Sequence, residues 1–246
     1  MGSYFIQVRR LVLIRHADTD VAGTRDDPNL SRMGELQAER LRDRLIATGE
    51  LGDVTNFYSS RLSRSRSTAQ LLAPAIDSAN LRLDGELREM FWGEAEGHSW
   101  VSMVEDHGVP SGKDSAFADG ETWNEFEQRA RSALRTYAEL PGTTIVVCHT
   151  GIIEASFIEF AGLDRRALRF AMAPRNTSIT IWTELEGGTG ARRLDVYNDA
   201  AHLWLKGEWL HRPENLQSEE PFWNALEPGT PAGPVSAAST ELPRSP

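Results

Sequence analysis

Three short, largely apolar runs constrain the fold of this chain most strongly, because each is followed by a polar turn and then by a helical pattern. The runs are residues 11–14, 54–58 and 145–148. Apolar runs without alternation are typical of strands that are covered on both faces of a parallel sheet. The sequence therefore predicts an α/β fold with three layers, α/β/α, around a mostly parallel central sheet.

The segments between these runs have helical patterns with readable beginnings. Residues 34–48 place their leucines along one face, and Ser31 stands where an N-cap is expected. Residues 121–140 carry aromatic residues and alanines at helical spacing, and Thr122 and Glu125 have the spacing of a capping box. Both segments are predicted to pack as helices against the sheet.

The last third of the chain shows a change in pattern and then in composition. Residues 177–183 alternate with period two, which predicts a half-exposed strand, and a glycine-rich turn at 187–190 leads to a partner strand around 194–197. Seven of the twelve prolines fall in the last 34 residues. We therefore expect one folded domain over residues 1–212 and an extended or disordered tail over 213–246.

Composition excludes several classes of protein. The 246 residues carry a formal net charge of −10, so no basic excess offers a surface to nucleic acid or to an anionic membrane. No stretch approaches the roughly 18 apolar residues of a membrane span, and the single cysteine, Cys148, allows no intramolecular disulfide. The histidines show no metal-binding spacing. We expect a cytoplasmic protein without a metal or cofactor.

Histidine and arginine side chains follow the predicted strands at the point where each strand ends. Arg15 and His16 come directly after the first run, and His149 follows the third. The turn after the second run is followed by three arginines, Arg61, Arg64 and Arg66. Ligands of open α/β sheets bind beyond the carboxyl ends of the strands. If the three strands are neighbours, this edge gathers positive groups that suit a phosphate dianion in an otherwise acidic chain.

Phosphoryl transfer is the chemistry that such a cluster favours. A neutral imidazole can attack phosphorus while guanidinium groups offset charge on the equatorial oxygens. The leaving alkoxide then needs a proton, which requires a carboxylic acid near the pocket.

Six motifs in order resemble those of the histidine phosphatase superfamily, which includes the cofactor-dependent phosphoglycerate mutases. They are Arg15-His16-Ala17-Asp18-Thr19, the pattern of Leu30, Ser31, Gly34, Gln37 and Ala38, residues 60–69, residues 87–97, Gly120-Glu121-Thr122, and Val147-Cys148-His149-Thr150-Gly151. Two later segments, 176–178 and 198–203, resemble the final strands of the phosphatase branch. The resemblance covers roughly residues 10–205 and implies a phosphoglycerate mutase-like fold.

The resemblance also implies a role for individual residues. His16 would be the phosphorylated nucleophile, and Glu89 the proton donor. Arg15, Arg64 and His149 would bind the phosphoryl group, while Arg66 would point into solvent or a local ion pair. Thr19 and Thr150 would be outer phosphate contacts. Trp100 or Phe91 could line the mouth of the pocket.

Three positions depart from the family pattern. Ala17 replaces a glycine, which would cost about 1 kcal/mol if the backbone there needed a positive φ and nothing otherwise. Thr150 replaces the first glycine after the second histidine and should narrow the pocket wall. Residues 21–23 read Val-Ala-Gly where the family has an asparagine. One phosphate contact is therefore lost or is supplied by another group.

The sequence predicts a phosphomonoesterase that hydrolyses a small phosphorylated substrate through a phosphohistidine. Two alternatives stay open: a cofactor-dependent phosphoglycerate-type mutase, and a non-catalytic module that binds phosphate or a phosphoprotein. The acid segment, 88–93, resembles the phosphatase side of the family. The segment from about 100 to 119 is expected to cap the pocket and to govern substrate choice. The expected partner is a small-molecule phosphate ester, and the oligomeric state is left open, with a homodimer as one candidate.

Overall fold

The computed structural model describes residues 9–20, 27–76, 80–96, 119–164, 172–185, 190–205 and 208–210. Four features predicted from the sequence fall outside these residues: the tail over 213–246, the capping segment up to residue 118 together with Trp100, the Val-Ala-Gly stretch at 21–23, and residues 187–189 of the glycine-rich turn.

The described residues form eight strands and four α-helices. The strands are β1 (Arg10–Arg15), β2 (Val54–Ser60), β3 (Leu81–Asp84), β4 (Thr143–Cys148), β5 (Ile179–Glu184), β6 (Arg192–Asp199), β7 (Trp204–Leu205) and β8 (Glu208–Trp209). The helices are α1 (Arg32–Thr48), α2 (Ser63–Leu72), α3 (Trp123–Ala138) and α4 (Thr150–Ala161). Short 3-10 turns occupy Ala73–Ala75, Gly85–Leu87, Gly93–Ala95 and Ala201–Leu203.

The central sheet has six strands in the order β3-β2-β4-β1-β5-β6. The first four run parallel to their neighbours, β5 runs antiparallel to β1, and β6 runs antiparallel to β5. The three apolar runs are therefore adjacent, in the order β2-β4-β1, as the site prediction required. The mostly parallel sheet is confirmed.

Successive residues of β1 show why its apolar run does not alternate. Leu11 and Leu13 belong to the core cluster that contains residues of α3 and α4. Val12 and Ile14 belong to the cluster that contains residues of α1 and α2. All four side chains are fully buried, because helices cover the sheet on both faces. The predicted three-layer arrangement is confirmed.

The two predicted helices form with the predicted caps. The Ser31 hydroxyl accepts a hydrogen bond from the backbone N–H of Gly34 at the start of α1. At the start of α3, Thr122 and Glu125 form the reciprocal hydrogen bonds of a capping box. Helix α1 begins two residues earlier than predicted, and α3 is two residues shorter at each end. In the described part of the chain, no helix is both long and apolar enough to cross a membrane.

The prediction that residues 177–183 form a half-exposed strand is wrong. All residues from Ile179 to Thr183 are buried. Strand β5 lies inside the sheet, and its second face is covered by α4, where the Trp182 indole Nε1 donates to the Ser156 hydroxyl at 3.0 Å. The period-two pattern of the sequence arises because Ile179 and Ile181 lie on one face of the strand and Thr180 and Trp182 on the other. Both faces are covered.

Candidate active site

The register between β1 and β4 brings the two histidines together. Arg15 is paired with Cys148, so His16 and His149 leave the carboxyl ends of adjacent strands side by side. The backbone N–H of His16 donates to the Cys148 carbonyl at 2.9 Å. The two imidazole centroids lie 5.1 Å apart, with the rings tilted by 55°. This edge of the sheet is where ligands of open α/β folds bind.

The His16 ring has a defined orientation. Its Nδ1 lies 2.8 Å from the Ala17 carbonyl oxygen. A carbonyl oxygen can only accept, so Nδ1 carries the proton and Nε2 keeps its lone pair. Burial lowers the pKa of His16 well below its ordinary value, and the positive charges of Arg64 and Arg15 lower it further. His16 is therefore a neutral imidazole near pH 7 with Nε2 available as a nucleophile.

Hydrogen bonds also fix the backbone around His16. The Ala17 N–H donates to the Thr68 hydroxyl at 3.0 Å, and that hydroxyl donates to the Arg64 carbonyl at 2.8 Å. The Asn176 side-chain Nδ2 donates to the His16 carbonyl at 2.9 Å. The sequence analysis assigned no role to Thr68 or Asn176. Both lie within segments that resemble the family, which was the available signal.

Ala17 has no positive φ, so it costs nothing as a replacement for glycine. Among the described residues other than glycine, only three adopt a positive φ: Asp119, Thr177 and Asn198. Ala17 is also fully buried, where its methyl group packs without exposure. The departure at this position therefore does not argue against a working site.

Arg64 and Arg15 supply the positive charge of the site. The Arg64 side chain is only 12% exposed, and its Nη1 lies 3.8 Å from the Asp27 carboxylate. Burial lowers the pKa of Arg64, while the Glu89 and Asp27 carboxylates oppose that shift. Arg15 donates through Nη1 to the Pro174 carbonyl at 2.6 Å. The two other arginines that follow β2, Arg61 and Arg66, are exposed, in contrast to Arg64.

His149 is fully buried and is the N-cap residue of α4. Its Nε2 lies 3.2 Å from the Ser65 hydroxyl, and its Nδ1 contacts no polar partner among the described residues. Burial lowers the pKa of His149 well below its ordinary value, and the electrostatic effects of Arg64 and then His16 lower it further. The ring is therefore neutral near pH 7, and it lies beside the His16 ring.

Glu89 is held at the N-terminus of α4. One carboxylate oxygen accepts from the Met90 N–H at 3.0 Å, and the other accepts from the Gly151 N–H at 3.0 Å. A Cβ atom at Gly151 would lie 2.3 Å from the Glu89 Oε1. Only glycine permits this close approach of the carboxylate to the helix. Neighbouring glutamates are placed elsewhere, since Glu86 and Glu94 are exposed.

An ion pair between Arg129 and Glu121 braces the segment that carries Glu89. Arg129 forms a two-pronged pair with Glu121, with Nε–Oε1 and Nη2–Oε2 distances of 2.8 and 2.7 Å. Arg129 Nη1 donates to the Arg88 carbonyl at 3.0 Å, and Glu121 accepts from the Phe91 N–H at 2.9 Å. These contacts hold the backbone on both sides of Glu89. Arg129 was not predicted as part of the site, because nothing in the sequence of its helix distinguishes it from the other arginines there.

Five of the residues predicted for the site thus come together: Arg15, His16, Arg64, Glu89 and His149. Thr150 is the first residue of α4, directly after His149. Thr19 forms an isolated β-bridge with Leu30. Within the described ranges, no group of three or more His, Cys, Asp or Glu side chains is arranged to hold a metal ion.

Comparisons with known proteins find similar chains among proteins named as phosphoglycerate mutases and phosphatases. Proteins of Escherichia fergusonii and Salmonella arizonae, each named probable phosphoglycerate mutase GpmB, are 31% and 28% identical to this chain over 213 residues. Those alignments cover 79% of this chain and 94% of each relative. A mycobacterial glucosyl-3-phosphoglycerate phosphatase, solved with VO3, matches with a TM-score of 0.64 at 25% identity. That match covers 77% of this chain and 99% of the phosphatase.

A phosphoglycerate mutase of Bacillus anthracis shares the fold, with a TM-score of 0.63 at 20% identity over 80% of this chain and 95% of that one. The fold is therefore phosphoglycerate mutase-like. The sequence pattern of the histidine phosphatase superfamily (branch 1) matches residues 11–200, which include every residue of the cluster. The chain belongs to the histidine phosphatase superfamily.

Proposed function

We propose that this protein is a phosphomonoesterase that hydrolyses a small phosphate ester through a phosphohistidine on His16. The observation that carries the proposal is the orientation of the His16 ring, whose Nδ1 is engaged by the Ala17 carbonyl. This leaves Nε2 as a neutral nucleophile among two guanidinium groups and a second imidazole. Such a setting suits attack on a phosphoryl group.

In the first step, His16 Nε2 forms a bond to phosphorus while the bond from phosphorus to the ester oxygen breaks. Arg15, Arg64 and His149 offset the charge on the three equatorial oxygens. The protonated Glu89 carboxyl gives its proton to the leaving oxygen, which departs as an alcohol. Its fixed position beside α4 supports this role, since Gly151 and Met90 leave the carboxyl little freedom to move.

In the second step, the Glu89 carboxylate takes a proton from water as the water oxygen attacks phosphorus. The bond between phosphorus and Nε2 breaks, inorganic phosphate leaves, and His16 returns to its neutral form. The same carboxyl group therefore acts as acid in one step and as base in the next.

A phosphoglycerate-type mutase is the second candidate, favoured by the names of the two bacterial relatives. A mutase would return the phosphoryl group from His16 to another oxygen of the substrate and would need priming by 2,3-bisphosphoglycerate. The two activities share His16 and differ in whether water reaches the phosphohistidine.

The test is phosphate release from p-nitrophenyl phosphate, 3-phosphoglycerate and glucosyl-3-phosphoglycerate, measured for the wild type and for His16→Ala. Phosphate release by the wild type and its loss in His16→Ala would support the phosphatase. Conversion of 3-phosphoglycerate to its isomer only after addition of 2,3-bisphosphoglycerate would instead identify a mutase. Binding of phosphate without turnover in either assay would leave the non-catalytic module, and equal rates in both proteins would refute a role for His16.

A further inference from the structure

The loop over residues 174–178, here called the bracing loop, holds the Arg15–His16 dipeptide with four hydrogen bonds. The Arg15 guanidinium donates to the Pro174 carbonyl at 2.6 Å, and the Arg15 N–H donates to the Ser178 carbonyl at 3.3 Å. The Thr177 N–H donates to the Arg15 carbonyl at 3.0 Å. The Asn176 amide donates to the His16 carbonyl at 2.9 Å. The position of the nucleophile thus depends on the shape of this loop.

The bracing loop contains a strained residue at its centre. Thr177 adopts a φ of 56° and is fully buried. A β-branched residue rarely adopts a positive φ, and such a conformation persists only where the surroundings impose it. Some contact outside the loop must therefore hold Thr177 in place.

His202 makes that contact. Its Nε2 lies 2.8 Å from the Thr177 hydroxyl, which itself donates to the Asn176 carbonyl at 2.7 Å. Because the hydroxyl proton is used in that bond, His202 Nε2 is the donor to Thr177. Burial lowers the pKa of His202 to about 4, so the ring stays neutral near pH 7.

The 3-10 turn that carries His202, Ala201–Leu203, is in turn held by the end of β6. The Asp199 carboxylate accepts from the Ala201 N–H at 2.9 Å and pairs with Arg44 on α1. The neighbouring Asn198 side chain accepts from the Arg175 N–H at 2.7 Å, which adds a second link from β6 to the bracing loop. His202 therefore contacts the bracing loop from a turn that is tied to helix α1 and strand β6 through Asp199.

We propose that His202 is a positioning residue for the reaction at His16: its hydrogen bond to Thr177 keeps the bracing loop in its strained shape and so fixes the line along which His16 attacks. This inference rests on the proposed role of His16 as the nucleophile. His202 does not touch the substrate in this account, since it acts through Thr177 and Asn176.

The experiment compares four variants with the wild type: His202→Ala, His202→Gln, Thr177→Gly, and the double variant His202→Ala/Thr177→Gly. We expect His202→Ala to lower kcat for p-nitrophenyl phosphate by roughly tenfold to a hundredfold, with KM changed by less than about threefold, because a small displacement of a reacting group mainly affects the chemical step. A glutamine amide can replace the Nε2 donor, so His202→Gln should recover most of the loss. In the Thr177→Gly background, His202→Ala should have little further effect.

Thr183→Val is the matched control, because it removes the side-chain hydrogen bond from a threonine of β5 to Asp195, away from the bracing loop. It should leave kcat within about twofold even if the melting temperature falls. A His202→Ala variant with wild-type kcat, or a loss of kcat that adds independently to that of Thr177→Gly, would overturn the inference.

A measurement without turnover separates this inference from the proposed function. The ¹⁵N chemical shifts of the His16 ring report which nitrogen carries the proton. We expect the ¹⁵N chemical shifts in His202→Ala to move away from the values typical of an Nδ1-protonated ring, and those in His202→Gln to return to the wild-type values. Unchanged shifts in His202→Ala would refute the positioning role even with the proposed function intact. If His16→Ala released phosphate as fast as the wild type, the proposed function would fail, and the ring shifts would still report whether His202 orients His16.

Discussion

The reactivity assigned to His16 depends on single atoms of its neighbours. The Ala17 carbonyl selects the ring tautomer, and the Thr68 hydroxyl holds the Ala17 N–H. Thr68 is fully buried and also donates to the Arg64 carbonyl, so one hydroxyl group couples the backbone beside His16 to helix α2, which carries Arg64. The identity of residue 68 should therefore affect both stability and activity.

Thr68→Val keeps the size of the side chain and removes the hydroxyl. The Ala17 N–H would lose its buried acceptor, which should lower the free energy of unfolding by about 1–3 kcal/mol. The displaced backbone should lower kcat roughly tenfold. Urea denaturation and steady-state kinetics measure the two effects.

Thr136→Val provides the control, because Thr136 makes a similar bond to the Ser132 carbonyl on an exposed part of α3. Thr136→Val should change the free energy of unfolding and kcat little. If Thr68→Val kept wild-type kcat despite lower stability, the hydroxyl would serve folding alone.

Among the helices and strands, the N-terminus of α4 holds the Glu89 carboxylate through the Gly151 N–H. The arrangement needs glycine because an added Cβ would meet the Glu89 carboxylate and, at 2.8 Å, the Phe126 ring. The sequence shows a glycine at this position but not the reason for it, since Glu89 and Gly151 are 62 positions apart.

Gly151→Ala should displace the Glu89 carboxyl and impair proton transfer to the leaving group. We expect kcat for an alkyl phosphate to fall by about a hundredfold, since general acid catalysis contributes on the order of 10²-fold or more. The loss should be smaller for p-nitrophenyl phosphate, whose leaving group needs no proton. Gly85→Ala is the control, because its Cβ would meet nothing closer than 3.9 Å. Equal losses for both substrates would contradict the assignment of Glu89 as the acid.

The ion pair between Arg129 and Glu121 braces the segment around Glu89 from helix α3. Arg129→Met removes the bonds to the carbonyls of Glu86 and Arg88 and leaves Glu121 without its partner. We expect a drop of roughly tenfold in kcat/KM. Arg131→Met removes a more exposed pair on the same helix, with Glu159, and should have little effect on kcat/KM. Similar kinetics for the two variants would show that the brace plays no part in activity.

At the scale of the whole molecule, the sequence predicts the sheet well because strands buried on both faces leave continuous apolar runs. The cluster at the strand ends was predictable for the same reason, since Arg15, His16 and His149 directly follow those runs. The burial of β5 was not predictable, because it depends on α4 covering Trp182. The bracing loop was not predictable either, since its central residue Thr177 contacts His202, 25 residues later in the chain.

The buried histidines make the stability of the whole fold sensitive to pH. Burial depresses the pKa of His202 from 6.5 to about 4, and the pKa values of His16 and His149 are also lowered. The unfolded chain therefore binds protons that the folded chain does not, and stability is lost as pH falls below about 6.5. Urea midpoints measured between pH 7.5 and pH 5 should decrease, and they should decrease less in His202→Gln. Midpoints that stay constant over this range would contradict the burial of neutral histidines.

Identification of the phosphorylated atom during turnover tests directly whether His16 is the nucleophile. The enzyme would be mixed with p-nitrophenyl phosphate, quenched within milliseconds in alkali, and mapped by mass spectrometry under conditions that preserve phosphohistidine. We expect one phosphoryl group on Nε2 of His16. It should be absent in His16→Asn, and it should be longer-lived in Gly151→Ala, because a displaced Glu89 activates water less well. Turnover of the wild type with no phosphorylated histidine, or with the phosphoryl group on His149, would contradict the role of His16.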